Sequence, residues 1–129
     1  MPEYRFSTRS YRNLEGVRPE LIAVASRALA ISPIDFVVIE GLRTKERQRE
    51  LVNTGASQTL NSRHLTGHAI DLAAWVDGDI RWDWPLYAQI AGAMKKAALG
   101  LGVHLEWGGD WQRFKDGPHF QLPWSNYPA

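Results

Sequence analysis

Three side chains stand out for the chemistry they could do together: His64, Asp71 and His119. The stretch SRHLTGHAID (Ser62–Asp71) sets an imidazole in a turn-rich segment and a carboxylate inside an apolar run. An ionised carboxylate in such a run is costly to bury unless a cation or a hydrogen-bond donor meets it. The chain has no cysteine, so any metal must be held by imidazole and carboxylate. Fully extended, the chain from His64 to Asp71 covers roughly 23–25 Å, and both reach one ion only if it folds back. Gly67, which tolerates positive φ, permits that turn. The spacing equally permits a core aspartate paired with an arginine, beside a surface histidine. His68 is a rival ligand, because it forms an i, i+4 pair with His64 as in helical zinc motifs. Gly67 weakens a helix there and no glutamate follows His64, so His68 reads as a supporting or exposed residue.

The second half of such a site is Asp116-Gly117-Pro118-His119-Phe120. His119 opens a short apolar strand that would fix its ring. Asp116 stands before a Gly-Pro bend, where it can reach a water at the metal without ligating the ion, or simply serve the turn. Three protein ligands with one open position is the pattern of catalytic zinc, which makes water a nucleophile at neutral pH with a nearby base. Glu106 competes with Asp116 for the part of base, and it also reads as a solvent-facing strand residue.

The elements that must hold these groups can be read in order. Residues 1–15 show little periodicity and read as an irregular arm. Pro19 suits a first helical turn, and Leu21, Ile22, Val24, Ala25, Ala28 and Leu29 recur at helical spacing to about Ala30. Asp35–Glu40 reads as a strand, Thr44 as the cap of a polar helix over Lys45–Asn53, and 56–63 as a loop. Ala69–Val76 reads as a buried strand that turns at Asp77-Gly78-Asp79 into a short return strand, Ile80–Trp82. Asp83 and Pro85 open a helix closed by Gly100 and Gly102, and two further strands are expected at Val103–Trp107 and His119–Leu122. A hairpin among mixed elements predicts α+β, an antiparallel sheet with helices packed on it, rather than a repeating βαβ fold.

A chain of 129 residues suits a single domain, with no internal repeat, linker or low-complexity tract. The net charge of +1, with acids and bases interleaved, gives no electrostatic case for binding nucleic acid. No apolar run is long enough to span a bilayer, and the basic N-terminal stretch lacks the apolar segment of a secretory signal. Most of the six tryptophans read as core residues.

Four segments together resemble a known family. They are GLRTKERQRELVNTGAS (Gly41–Ser57), SRHLTGHAID (Ser62–Asp71), EWGGDW (Glu106–Trp111) and DGPHFQL (Asp116–Leu122). In this order they are similar to the zinc peptidases that include D-alanyl-D-alanine carboxypeptidases and dipeptidases and the phage L-alanyl-D-glutamate endopeptidases. The N-terminal RSxxNLxGVxPxL also resembles the endolysin branch. The resemblance implies a Hedgehog/DD-peptidase-like domain, zinc on His64, Asp71 and His119, and Asp116 as general base. Many relatives have Glu where Asp116 stands and the endolysin-like ones have Asp, which points to the endopeptidase branch. It further implies that Arg43 meets the substrate or polarises its carbonyl, as a guanidinium can; an exposed arginine at a helix start is the plainer alternative. Ser62 and Gln48 match family positions, Ser62 near the metal and Gln48 in the packing of its helix. Trp107 and Trp111 are expected to border the substrate groove.

The substrate expected is the peptidoglycan stem peptide, cut by a monomer. Synthesis in a host cytoplasm and release through a holin-type pore would fit a chain with no visible export signal. A D,D-carboxypeptidase on the same scaffold and a non-catalytic binder of wall peptide are the alternatives; released fragments separate all three.

Overall fold

The computed structural model describes residues 4–57, 59–113 and 115–128. Five strands form one sheet: β1 (Asp35–Glu40), β2 (Ala69–Val76), β3 (Asp79–Arg81), β4 (Glu106–Trp107) and β5 (His119–Gln121). The order is β1-β2-β5-β4, every pairing is antiparallel, and β3 pairs with the far end of β2. The β2–β3 connection turns through Asp77 (φ 53°) and Gly78 (φ 79°), the two consecutive positive values a tight hairpin of this hand requires. Among the described residues there are four α-helices: α1 (Thr8–Asn13), α2 (Pro19–Ile31), α3 (Lys45–Asn53) and α4 (Trp84–Leu101). The fold is the α+β arrangement expected.

Period-two alternation along the strands decides what the sheet offers on each face. Phe36, Val38, Ile70, Leu72, Ala74 and Phe120 point into one core. There they meet Leu21, Val24, Ala25, Ala28 and Leu29 of α2 and Ile90, Met94 and Ala97 of α4. The opposite face carries Asp71 and His119, which are direct cross-strand partners, and Glu40, which partners Asp71 from the other side. The register shifts between Val38 and Glu40, so an extra residue in β1 brings Glu40 rather than Ile39 opposite Asp71. Polar groups therefore form a row across three strands, backed by the core.

Residues 8–13 are not irregular. They form α1, capped by Ser7, whose Oγ accepts from the Ser10 amide at 3.1 Å. The helix is too short to display a periodic apolar face, and its buried residue is a serine. Ser10 Oγ accepts from the Val38 amide at 3.0 Å and Asn13 Nδ2 donates to the Val38 carbonyl at 2.8 Å, so polar side chains cover this stretch of the β1 edge. Two strand boundaries also contract. Of Val103–Trp107 only Glu106 and Trp107 pair with β5, because the chain leaves α4 through the left-handed Gly102 (φ 69°) and reaches the sheet late. The return strand ends at Arg81 rather than Trp82.

Candidate metal centre and cleft

The three predicted ligands converge. His64, Asp71 and His119 each offer one ligand atom, all within 4.8 Å of one another. The fold-back between His64 and Asp71 has a concrete form. Ser62 Oγ accepts from the His64 amide at 3.2 Å and starts a 3-10 turn, Arg63–Thr66, that ends in Gly67 at φ 75°. A Cβ on Gly67 would lie 2.3 Å from the Gly16 carbonyl oxygen, so glycine is required for space as well as for φ. The chain then enters β2, and pairing with β5 sets Asp71 opposite His119.

Each imidazole is held in one tautomer from behind. His64 Nδ1 lies 2.8 Å from the Gly41 carbonyl oxygen, which can only accept, so Nδ1 carries the proton and Nε2 faces Asp71 Oδ1 at 3.2 Å. His119 Nε2 lies 2.8 Å from Gln121 Oε1. The orientation of that amide is fixed because Gln121 Nε2 donates to Glu106 Oε2 at 3.2 Å, which again can only accept. His119 Nδ1 is thus left facing Asp71 Oδ1, also at 3.2 Å. Two ring nitrogens whose protons are committed elsewhere and a carboxylate oxygen make a cluster of lone pairs that calls for a cation, and imidazole with carboxylate is a donor set that suits zinc. A residue set able to bind a metal ion is thereby assembled, and it fits the ion expected.

The electrostatics agree. Burial by itself would raise the Asp71 carboxyl, but hydrogen bonds from His119 and His64, and the charges those rings can carry, hold it well below the usual carboxylate range. Burial would lower His119, yet the Asp71 carboxylate and the Gln121 carbonyl raise it above the ordinary imidazole value. Without a metal, a proton is the cation this cluster gathers.

The centre opens into a cleft of about 590 Å³, lined among others by Glu40, Arg43, Ser62, Trp111, Arg113, Asp116 and Trp124. Asp116 is pushed above its ordinary value of 3.8, by burial first and then by the Asp71 charge. Its amide donates to the Gly108 carbonyl at 3.0 Å, and a Cβ on Gly108 would lie 2.4 Å from the Asp116 carbonyl, so a close backbone approach seats it. Arg43 is not an exposed helix-start arginine. Its guanidinium donates through Nε to Glu40 and through Nη1 to Gln48 Oε1 at 2.8 Å, and Nη2 stands 3.8 Å from Asp71 Oδ2. Gln48 is buried and does more than pack: its Nε2 also donates to Ser57 Oγ at 2.8 Å and to the Thr59 carbonyl, tying Arg43 to both residues.

Other expectations land differently. Glu106 is engaged on one oxygen, Oε2, by both Gln121 (3.2 Å) and the Trp111 indole N–H (2.7 Å), so it is tied to the residues around His119. His68 is neither in the metal group nor exposed; it is buried, with Nδ1 2.6 Å from Thr66 Oγ1. Trp111 lies over His119, ring centres 5.2 Å apart, at the cleft. Trp107 does not line the cleft: its indole donates to the Gly117 carbonyl at 2.7 Å and stacks on Phe120, bracing the loop before His119. Gln121 and the Gly41 carbonyl escaped the sequence reading. Gln121 had one usable signal, its place two residues beyond His119 on the same strand face. Arg63 also went unread; it is buried, donates to the Leu122 and Tyr127 carbonyls, and stacks under Trp124 at 4.1 Å.

The model of a family described as phage L-alanyl-D-glutamate peptidase matches residues 2–122, a span that holds all three candidate ligands and Asp116. The chain belongs to this family. Within the same group of relatives, it is 36% identical to the L-alanyl-D-glutamate peptidase of Escherichia phage T5 over 88% of this chain and 85% of that protein. It is 37% identical to the Listeria phage A118 protein of the same name over 98% of this chain, which spans 45% of that longer protein. It is 35% identical to the peptidoglycan L-alanyl-D-glutamate endopeptidase CwlK of Bacillus subtilis, over 74% of this chain and 65% of CwlK. Among solved structures, the L-Ala D-Glu endopeptidase ChiX of Serratia marcescens superposes with a TM-score of 0.93 at 54% identity, covering 98% of this chain and 96% of that one.

Proposed function

We propose that the chain is a zinc endopeptidase that hydrolyses the L-alanyl-D-glutamate bond of peptidoglycan stem peptides, with His64, Asp71 and His119 as ligands, Asp116 as general base, and Arg43, Ser62 and Trp111 lining the substrate path. Family membership supplies the bond; the observation that carries the mechanism is the set of three facing lone pairs, each imidazole oriented by an acceptor behind it. Zinc, when bound, supplies a Lewis acid that lowers the pKa of water and takes up charge developing on the scissile carbonyl oxygen. The remaining work belongs to the chain. Asp116, with its carboxyl raised above its ordinary value by burial and the Asp71 charge, takes a proton from the attacking water and passes it to the leaving amine. Arg43, pinned by Glu40 and Gln48, presents Nη2 beside Asp71, where a cation stabilises an oxyanion without moving. Trp107 takes no part in the groove and steadies the 117 loop instead.

Among the described residues, no helix is long and apolar enough to cross a membrane. Synthesis in a bacterial host, passage to the wall through a holin-type pore, and action as a monomer complete the reading; the phage relatives support the route.

The test is a digest of purified sacculi analysed by mass spectrometry. Fragments with a new D-glutamyl amino terminus are expected, they should disappear with a chelator, and added zinc should restore them. Asp116→Asn should keep bound zinc and lose about 10²–10⁴-fold in turnover. Digestion that survives chelation, or full activity in the asparagine variant, refutes the mechanism.

A further inference from the structure

The substrate carries a charge next to the bond that is cut. In a stem peptide the D-glutamyl residue continues through its side-chain carboxyl, so its α-carboxyl is free or amidated. That carboxyl carbon lies about 2.5 Å from the scissile nitrogen, two covalent bonds away. It must therefore enter a cleft already lined by four acids: Glu40, Asp71, Glu106 and Asp116. An unpaired carboxylate among them is strongly disfavoured, so a cation has to meet it.

Three arginines line the cleft. The Arg43 guanidinium is spent on Glu40 and Gln48, and its remaining end faces Asp71, the side of the scissile carbonyl. Arg63 donates to the Leu122 and Tyr127 carbonyls, Trp124 covers it, and its Nη1 is buried from solvent. Arg113 alone remains: it is exposed and forms no ion pair with the described residues. Its position matches the chemistry. Trp111, two residues before it, lies over His119 and is bonded to Glu106, and Asp116, three residues after it, is bonded to the Gly108 carbonyl. Asp116 delivers the proton to the D-glutamyl nitrogen, so the carbon next to that nitrogen comes to this side of the cleft.

We infer that Arg113 binds the free α-carboxylate of the D-glutamyl residue, and so makes the chain prefer stem peptides whose D-glutamate is not amidated. The inference rests on the peptidase reading above. A charge-assisted, two-pronged arginine–carboxylate contact at a partly exposed site is expected to give a preference of about ten- to a hundredfold.

The experiment pairs two muropeptides that differ only at this group, α-carboxylate against α-carboxamide, and measures kcat/KM with the zinc-loaded protein. Binding of both to the metal-depleted protein is followed by tryptophan fluorescence. The wild type should favour the acid in both measurements. Arg113→Ala should lose most on the acid and far less on the amide, bringing the ratio to within about threefold, with Arg113→Lys between. An unchanged melting temperature would show that this exposed substitution leaves the fold intact. Equal cutting of both peptides by the wild type, equal losses on both in Arg113→Ala, or a preference that survives the substitution overturns the inference while leaving the peptidase reading in place. If the wild type cuts neither peptide at this bond, the peptidase reading fails and the inference falls with it.

Discussion

Replacing Gln121 by leucine tests whether the amide behind His119 sets the metal affinity. In the wild type, His119 Nε2 donates to Gln121 Oε1 at 2.8 Å, and both residues are about 6% exposed. Leucine nearly fills the same volume but leaves that N–H buried without a partner, at a cost of about 1–3 kcal/mol. The ring would relieve this by turning or by moving its proton to Nδ1, the nitrogen that faces Asp71. Either response removes a metal ligand in part. Loss of a partner behind a ligating histidine usually weakens metal binding about 10–100-fold. Competition against a chromophoric zinc chelator should therefore show a Kd raised by that factor. The metal-free protein should melt lower, by roughly 3–6 °C for each kcal/mol in a domain of this size. Peptide hydrolysis at saturating zinc should recover much of the wild-type rate, because Asp116 and Arg43 are untouched. A variant that binds zinc as tightly as the wild type would show that the Glu106–Gln121–His119 chain does not orient the ligand.

Three further outcomes follow from the same geometry. His119 titrates above the ordinary value of 6.5, and zinc can bind only after its proton leaves. Zinc affinity should then fall as pH drops from about 8 to 6, by up to about one decade per pH unit for each proton displaced. The metal-free protein should behave in the opposite sense over that range. A raised His119 contributes stability that is full below 6.5 and lost as pH climbs through its folded value, whereas a depressed Asp71 contributes stability present above 3.8 and lost on acidification. Calorimetry of metal-free His68→Gln samples, which lack the opposite contribution of the depressed His68, would contradict this if stability rose from pH 6 to 8. Gly67→Ala should destabilise by about 2–4 kcal/mol in urea denaturation, from positive-φ strain and a clash with backbone. Gly67→Asn, which tolerates the φ but not the clash, should not rescue it.

The sequence carried the parts of this protein that obey a period or a local rule. α2, α4 and the buried strands announced themselves through apolar spacing, and Thr44 capped α3 where its side chain predicts, accepting from the Arg47 amide at 3.1 Å. What stayed hidden depended on contacts distant in the chain. α1 has no apolar stripe because its task is to cover a strand edge with Ser10 and Asn13. The extra residue in β1 that turns Glu40 toward Asp71 cannot be seen without the partner strand. Glu106 looked like a second base because a glutamate beside a site has the right chemistry; only the neighbouring Trp111 and Gln121 donors reveal that its oxygen is occupied.

The same distinction explains why the candidate metal ligands were readable and their supports were not. A carboxylate in an otherwise apolar strand is anomalous by type, so Asp71 draws attention in one dimension. A backbone carbonyl such as that of Gly41 has no identity in the sequence at all. Yet its position is tightly constrained. A Cβ on Gly41 would lie 2.0 Å from the Asn13 carbonyl oxygen, so the strand end, the N-terminal segment and His64 Nδ1 meet at a point with no spare volume. Asn13 reaches back to Val38 in the same stretch of β1. The N-terminal segment thus acts on the candidate metal centre at one remove: it fixes the end of the strand whose carbonyl selects the tautomer of His64. Shifting that carbonyl would disturb the ligand without touching the cleft, which gives a physical reason for a peptidase of this kind to keep α1 packed against its sheet.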